Sequence, residues 1–348
     1  MRISRRNLLK TSAAAGLVGA TGLPLGAFAQ DLTKLSMILN WRYQGPQAWF
    51  FIAQDKGYFK EYGLEIQMDQ GNGSGAAVGA VASGSYGTGF GDVNALIQLA
   101  AEKPDEAPIC VYQMYNKPPF TVAVLSSSDI KTAKDLEGKH LGGSANDGAL
   151  KLWPAFTSVA GLDTSGVEIT NFAPNLREQM LKSGQVDGVF GYVNTIRFSA
   201  KLSGMDPDAD IRFISYGDYG MDLYSNGIIV PKKMTQEQPE AVRGLVRAIN
   251  KGIADALKDY DAAIKAVVDR EPLINGAIEK ERLLATLADE MNHPEVAKVG
   301  LGNVDPVRFQ KAIDLVVEAR GLPRTPAMSE IFTPDFLPPE DERIYKLI

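Results

Sequence analysis

The chain is poor in the residues from which metal centres, hydrolase triads and disulfide staples are built. Cys110 is its only cysteine, so no internal disulfide can form and packing alone must hold the fold. His140 and His293 are its only histidines. Two isolated histidines and one cysteine cannot complete a zinc site without carboxylates. Neither histidine has a G-x-S-x-G segment nearby from which a Ser-His-Asp triad could be assembled. Beyond residue 30 no stretch reaches the about 18 consecutive apolar residues of a membrane span. A basic surplus is missing too: 36 Lys and Arg stand against 42 Asp and Glu, a net charge of −6. That balance argues against nucleic acid and anionic lipid as partners. No segment repeats at a period of about 20–50 residues, which excludes solenoids and propellers.

What is present is a globular composition, 45% hydrophobic and 22% charged, over 348 residues. That length suits two ordinary domains or one large one. The first 29 residues read as a signal peptide. Arg2, Arg5, Arg6 and Lys10 occur without an acid, a weakly apolar run follows from Thr11 to Leu25, and Ala27-Phe28-Ala29 is a small-x-small cleavage site. The stretch Ser4-Arg5-Arg6-Asn7-Leu8-Leu9-Lys10 resembles the twin-arginine export signal, with Leu8 where Phe is commonest. No cysteine follows the cleavage site to carry a lipid. The expected mature chain begins at Gln30. With the four basic residues of the signal set aside, it holds 32 basic residues against 42 acidic ones. It is expected to be free, soluble and periplasmic.

Strand-like and helix-like segments alternate through the first two thirds of the chain. Strands are expected at 34–39, 64–68, 87–90, 108–115 and 121–125, with helices over 47–62, 74–83 and 93–102. After a polar break at 126–139 a second alternation runs to residue 214. From Gln236 onward the pattern is helical, with helices expected at 240–257, 261–268, 279–291 and 306–320. The fold class is therefore α/β, with two α/β lobes and a helical C-terminal region. Residues 30–125 and 217–348 are assigned to lobe 1 and residues 126–216 to lobe 2. In open α/β sheets ligands bind beyond the carboxyl ends of the strands, so the residues just after strands carry the functional information.

Several of those positions form a recognisable succession. Asn40-Trp41 follows the first strand, Gly57-Tyr58-Phe59-Lys60-Glu61-Tyr62-Gly63-Leu64 leads into the second, and Gly71-Asn72-Gly73-Ser74-Gly75 follows it. Gly91-Asp92-Val93-Asn94, Asp135-Leu136-Glu137-Gly138-Lys139 and Tyr224-Ser225-Asn226-Gly227 come later. This succession resembles the periplasmic solute-binding proteins of ABC importers, in the nitrate, sulfonate and taurine class and nearest to the pyrimidine-precursor binders of thiamine biosynthesis. The resemblance covers nearly all the mature chain. It implies a type II binding-protein fold with two crossovers between lobes, a monomer that closes on a small-molecule solute, membrane importer subunits as partners, no nucleic acid, no cofactor and no enzyme activity.

Each candidate position has a plain structural reading beside the functional one. Trp41 after the first strand is either core or a stacking face for a planar ligand; Asn40, Tyr43 and Gln44 flank it. Gly73 and Ser74 open a helix, where backbone N–H groups and the helix dipole suit an anion, or else form a simple turn. Ser144 and Asn146 stand at a second helix start, where Asn146 or Asp147 also makes an ordinary N-cap. Asp92 and Asn94 either face the cleft or cap the helix after the third strand. Tyr115, Phe190 and Tyr192 end strands. Asp218 and Tyr219 lie in the segment returning to lobe 1. Arg42, Arg177 and Arg197 are candidate partners for an anionic group. The stripe Trp49, Phe50, Phe51, Tyr58 and Phe59 reads as core.

The expected solute is planar or anionic: a pyrimidine precursor, a sulfonate such as taurine, or an aromatic acid. The competing reading is an exported NAD(P)-dependent oxidoreductase of the glucose-fructose type. Gly71-Asn72-Gly73-Ser74-Gly75-Ala76 fits G-x-G-x-x-G/A and Glu102-Lys103-Pro104 resembles its catalytic segment. Against it, the glycines follow the second strand, the lysine comes too soon, and no His or Tyr acid accompanies it. A pyrimidine-synthesising relative is a further enzyme reading. It would carry a cysteine-rich active segment and a placed histidine, which one cysteine and two histidines do not supply.

Overall fold

The structure, a computed structural model, describes residues 32–348; the export signal expected at 1–29 lies outside the described residues. β1 (Thr33–Ile38) runs parallel to β2 (Leu64–Asp69), in register from Thr33 opposite Leu64 to Ile38 opposite Asp69. Strict alternation in β2 turns Leu64, Ile66 and Met68 inward and Glu65 and Gln67 outward, the period-two pattern of a sheet with one solvated face. β3 (Thr88–Asp92) joins β1 in parallel. β4 (Ile109–Gln113) completes the outward run of this lobe.

Helix α1 (Ala48–Asp55) follows β1 and buries Trp49, Phe50 and Phe51 completely. The single helix expected over 47–62 is two pieces, α1 and a turn at Tyr58–Glu61, because Gly57 between them adopts φ 75°. A left-handed residue cannot continue a right-handed helix. Tyr58 keeps one edge polar, its hydroxyl donating to Asp255 at 2.5 Å. Helices α2 (Ser74–Ala82) and α3 (Val93–Glu102) follow β2 and β3.

The chain then crosses to a second sheet. β5 (Phe120–Leu125) is antiparallel to both β8 (Gly188–Tyr192) and β9 (Ile211–Ser215), while β6 (His140–Gly143) runs parallel to β7 (Glu168–Asn171) and β8. Its order is β7-β6-β8-β5-β9. This corrects the lobe boundary expected after residue 125. The apolar run at 120–125 continues the rhythm of the first lobe in sequence but pairs wholly within the second, so the crossing falls between β4 and β5. Helix α4 (Gly148–Ala160) follows β6, α5 (Arg177–Lys182) follows β7, and α6 (Val193–Leu202) follows β8.

β10 (Asn226–Val230) returns to the first sheet and inserts antiparallel between β3 and β4, giving the order β2-β1-β3-β10-β4. The two crossing segments pair with each other: the Tyr115 amide donates to the Asn226 carbonyl at 2.9 Å, and the Ser225 amide donates to the Tyr115 carbonyl at 2.9 Å. Cys110, in β4, is fully buried, and burial pushes its thiol up to about 12.

The C-terminal helices α7 (Pro239–Lys258), α8 (Tyr260–Val268), α9 (Gly276–Thr286) and α10 (Pro306–Arg320) belong with the first sheet, yet two of them reach the second lobe. Arg282 on α9 donates from Nη1 to the Thr195 carbonyl at 3.2 Å, and Glu281 pairs with Lys201 at 2.5 Å. Arg320 at the end of α10 donates to the Lys151 carbonyl at 2.6 Å. A π-helical turn, Leu287–Met291, extends α9. Among the described residues no helix is long and apolar enough to cross a membrane.

Candidate functional site

Strand ends of both sheets face one another across the junction of the lobes, and a small cavity of about 20 Å³ lies there. Asn40, Trp41, Gly73 and Ser74 line it from the first lobe, and Asp147, Gly148, Arg177, Tyr192 and Thr195 from the second. It has room for about one water. The lobes are closed. A Cβ placed on Gly73, whose φ is 135°, would sit 2.4 Å from the Asn146 carbonyl oxygen across the junction. On Gly148 it would sit 3.1 Å from Asp92 Oδ2, Ser74 Oγ and the Tyr192 hydroxyl alike. Two glycines, one per lobe, let the walls meet. That gives the glycines after β2 a packing role of their own, apart from any dinucleotide loop.

The Tyr192 hydroxyl is the polar centre of the closure. It lies 2.8 Å from Ser74 Oγ and 2.8 Å from Ser225 Oγ, and donates to Asn226 Oδ1 at 3.0 Å. Burial raises its pKa well above the usual phenol value, and the nearby Asp92 carboxylate adds to the rise. Tyr192 also packs edge-on to Phe120, with ring centroids 5.4 Å apart. On the first-lobe side the Asn40 Oδ1 accepts from Gln47 Nε2 at 2.9 Å, which fixes the loop carrying Trp41.

Three charged groups belong to the site. Arg177 is 3% exposed; its Nε and Nη2 donate to Glu178 Oε1 at 3.0 and 2.8 Å. Its guanidinium carbon stands 5.9 Å from the centroid of the Trp41 ring, a cation–π contact across the lobes. Asp147 caps α4, accepting from the Ala149 amide at 2.8 Å. Burial raises its pKa, and Arg177 opposes the rise. Asp92 caps α3: its Oδ1 accepts from the Asn94 amide at 3.1 Å and from Asn94 Nδ2 at 2.7 Å. Complete burial pushes its carboxyl up to about 7 despite those bonds.

Of the positions singled out from the sequence, Asn40, Trp41, Gly73, Ser74 and Tyr192 come together in the lining. Asp92 lies just behind it, under Gly148. Most of the others are elsewhere. Tyr43 is held against α1, its hydroxyl donating to the Met68 carbonyl at 2.7 Å. Asn94 Nδ2 is engaged by Asp92 and the Tyr224 carbonyl. Tyr115 is buried against Phe90, and Phe190 against Trp153. The Ser144 carbonyl accepts from the Asp147 amide in a tight turn that leaves Asn146 exposed. Asp218 is exposed, and the Tyr219 hydroxyl accepts from the Ala133 amide at 2.8 Å. Residues that end a strand on its buried face read the same in sequence as those that face the cleft. Arg177, a sequence candidate for pairing with an anionic group, lies in the lining too, beside Asp147, Gly148 and Thr195. Asp147 had a signal, as one of two possible caps; Thr195, inside the first turn of α6, had none. His140, bonded to Thr170, and His293, whose Nδ1 accepts from the Glu295 amide, are both away from the lining.

Comparison with known proteins agrees with this architecture. A family model described as NMT1/THI5 like matches residues 46–263. A 4-amino-5-hydroxymethyl-2-methylpyrimidine phosphate synthase of Aspergillus parasiticus is 23% identical over 71% of this chain and 74% of its own. A Haemophilus influenzae protein named for thiamine biosynthesis is 24% identical over 88% of this chain and 93% of its own. Among solved structures, the alkanesulfonate-binding protein SsuA of Xanthomonas axonopodis pv. citri, bound to MOPS, superposes with a TM-score of 0.66 at 18% identity, over 88% of this chain and 99% of that one. The two-lobed α/β binding-protein fold with a helical C-terminal region, and the resemblance read from the sequence, are thus both met. The expectation of a chain without enzyme activity is corrected: the relative from Aspergillus parasiticus is a synthase, an enzyme.

Proposed function

Because the chain belongs to the NMT1/THI5-like family, we propose that its cleft captures a small planar or anionic solute by closure of the two lobes, and that the closed form delivers it to the membrane subunits of an ABC importer. The solute classes are a pyrimidine precursor, a sulfonate or an aromatic acid. Capture takes place in the periplasm, after export by the twin-arginine route. The observation that carries the reading is the cavity itself. It lies at the junction of two sheets, takes its lining from both, and is sealed by Tyr192 reaching from one lobe to Ser74, Ser225 and Asn226 in the other. Trp41 supplies a flat face and Arg177 a buried cation beside it. A solute touching both walls favours the closed state by the contacts it lacks in the open one.

The synthase named among the relatives supports a second reading, in which the cleft also transforms what it binds. One experiment separates the two. Thermal unfolding of the mature chain is followed against hydroxymethylpyrimidine derivatives, thiamine, taurine, alkanesulfonates, nitrate, aromatic carboxylates and NAD(P), and bound solute is recovered and weighed by mass spectrometry. A solute at about 100 times its Kd stabilises by about 2.7 kcal/mol. A shifted midpoint with the solute recovered intact supports capture; a new pyrimidine phosphate supports the synthase. A shift with NAD(P) alone counts against both.

A further inference from the structure

Resting on that reading, we infer that the captured solute carries an amino or other N–H-rich basic group directed at Asp147, and that a bare anion is not the preferred ligand. The inference comes from the charges that the closed cavity leaves unanswered. Arg177 is ion-paired where it stands, its Nε and Nη2 both donating to Glu178 Oε1, at 3.0 and 2.8 Å. Asp147 is not. It lines the cavity, is 5% exposed, and its bonds go to the amides of Ala149 and Leu150 at the start of α4. No Lys or Arg of the described residues stands in ion-pair contact with it.

Behind the lining a second carboxyl points the same way. Asp92 is 1% exposed, and both bonds it accepts fall on Oδ1. Its Oδ2 takes no bond from the described residues and is turned toward the α-carbon of Gly148, beside Ser74 Oγ and the Tyr192 hydroxyl. Around the cavity Asp147 has acceptor capacity to spare, while Asp92 Oδ2 and the hydroxyls of Ser74, Tyr192 and Thr195 can accept or donate. Spare donors are Arg177 Nη1, since Nε and Nη2 are taken, and Asn40 Nδ2, since Asn40 is held through Oδ1. A buried carboxylate repels a sulfonate or nitrate and attracts an ammonium or an amidine-like N–H pair. The fitting solute is a small one with a basic nitrogen for Asp147, an acceptor for Arg177 Nη1 and a flat or short body against Trp41.

The test uses matched pairs that differ in the amino group alone: taurine against 2-hydroxyethanesulfonate, 4-aminobenzoate against 4-hydroxybenzoate, and 4-amino-5-hydroxymethyl-2-methylpyrimidine against its 4-hydroxy counterpart. Titration calorimetry is run on the mature protein and on Asp147→Asn. The Asn side chain caps a helix as well as Asp, and circular dichroism checks that the variant is folded. In any pair that binds, the amino member is expected to bind about tenfold tighter or more, and Asp147→Asn should erase most of that preference. Equal or tighter binding of the hydroxy member overturns the inference while leaving solute capture intact. So does an amino preference that survives Asp147→Asn. Failure of all six compounds to bind the folded protein overturns the inference, while the capture reading is decided by the wider panel of the thermal assay.

Discussion

At the scale of single residues, Tyr192 and the two facing glycines control how the lobes meet. Tyr192→Phe removes the hydroxyl shared by Ser74, Ser225 and Asn226; Ser225 and Asn226 still bond each other, but the buried Ser74 hydroxyl loses its partner. We expect a loss of about 1–3 kcal/mol in denaturant unfolding, together with faster dissociation of any bound solute. Gly148→Ala tests the closure from the other side. Its methyl group would lie 3.1 Å from three oxygens at once, so the expected outcome is a protein of near-normal fold with its lobes held apart. Small-angle scattering should then give a larger radius of gyration that solute no longer reduces. The sequence made some of these residues legible and hid others for a definite reason. Asn40, Trp41 and Ser74 follow strands in the first lobe, where the chain turns straight into the cleft. Phe190, only two residues before Tyr192 on the same strand, points to the same side of the sheet but packs under Trp153. Alternation tells one face from the other; it does not tell how far along a face the cleft extends.

At the scale of elements, α9 is the least expected feature. The helical tail was plain from its periodicity, but nothing in the pattern of residues 276–286 announces that this helix joins both walls. It does so through a buried pair. Glu279 Oε2 accepts from the Gly45 amide at 2.8 Å and from Arg282 Nε at 3.0 Å, while Arg282 Nη1 reaches the Thr195 carbonyl in the cavity wall. Arg282→Ala would strand the Glu279 carboxylate in a site 1% exposed. Breaking such a pair from one side costs about 3–5 kcal/mol. Arg282→Ala together with Glu279→Ala should be less damaging than Arg282→Ala alone, a sign that urea denaturation of the variants can check. The misplaced boundary at β5 has a similar origin. A strand's own residues fix that it is a strand, whereas its partners are fixed by segments some 65 to 95 positions further on.

At the scale of the whole molecule, two buried acids tilt stability toward mildly acidic solution. Burial pushes Glu290 up to about 8, Asp289 beside it adds to the rise, and Asn194 and Arg282 oppose it. Asp92 is pushed up to about 7. In the unfolded chain both ionise near pH 4. Between there and their folded values the unfolded state sheds protons that the folded state retains, so stability falls as pH rises. Below that window both states are protonated, and above it both are ionised, so the contribution is flat on either side. The melting temperature should therefore decline between about pH 5 and pH 8, and Glu290→Gln should flatten much of that decline when the two proteins are scanned side by side.

The route of the chain between its sheets bears on how it is made. β10 occupies the place between β3 and β4, yet more than a hundred residues separate it from β4 in sequence. During synthesis the edges of β3 and β4 emerge long before the strand that covers them, while every strand of the second sheet is complete before β10 begins. The second sheet has all its strands by then, and the first does not. A nascent or refolding chain therefore passes through a stage with the backbone N–H and C=O groups of two strand edges unpaired, and that stage is when it is most exposed to aggregation.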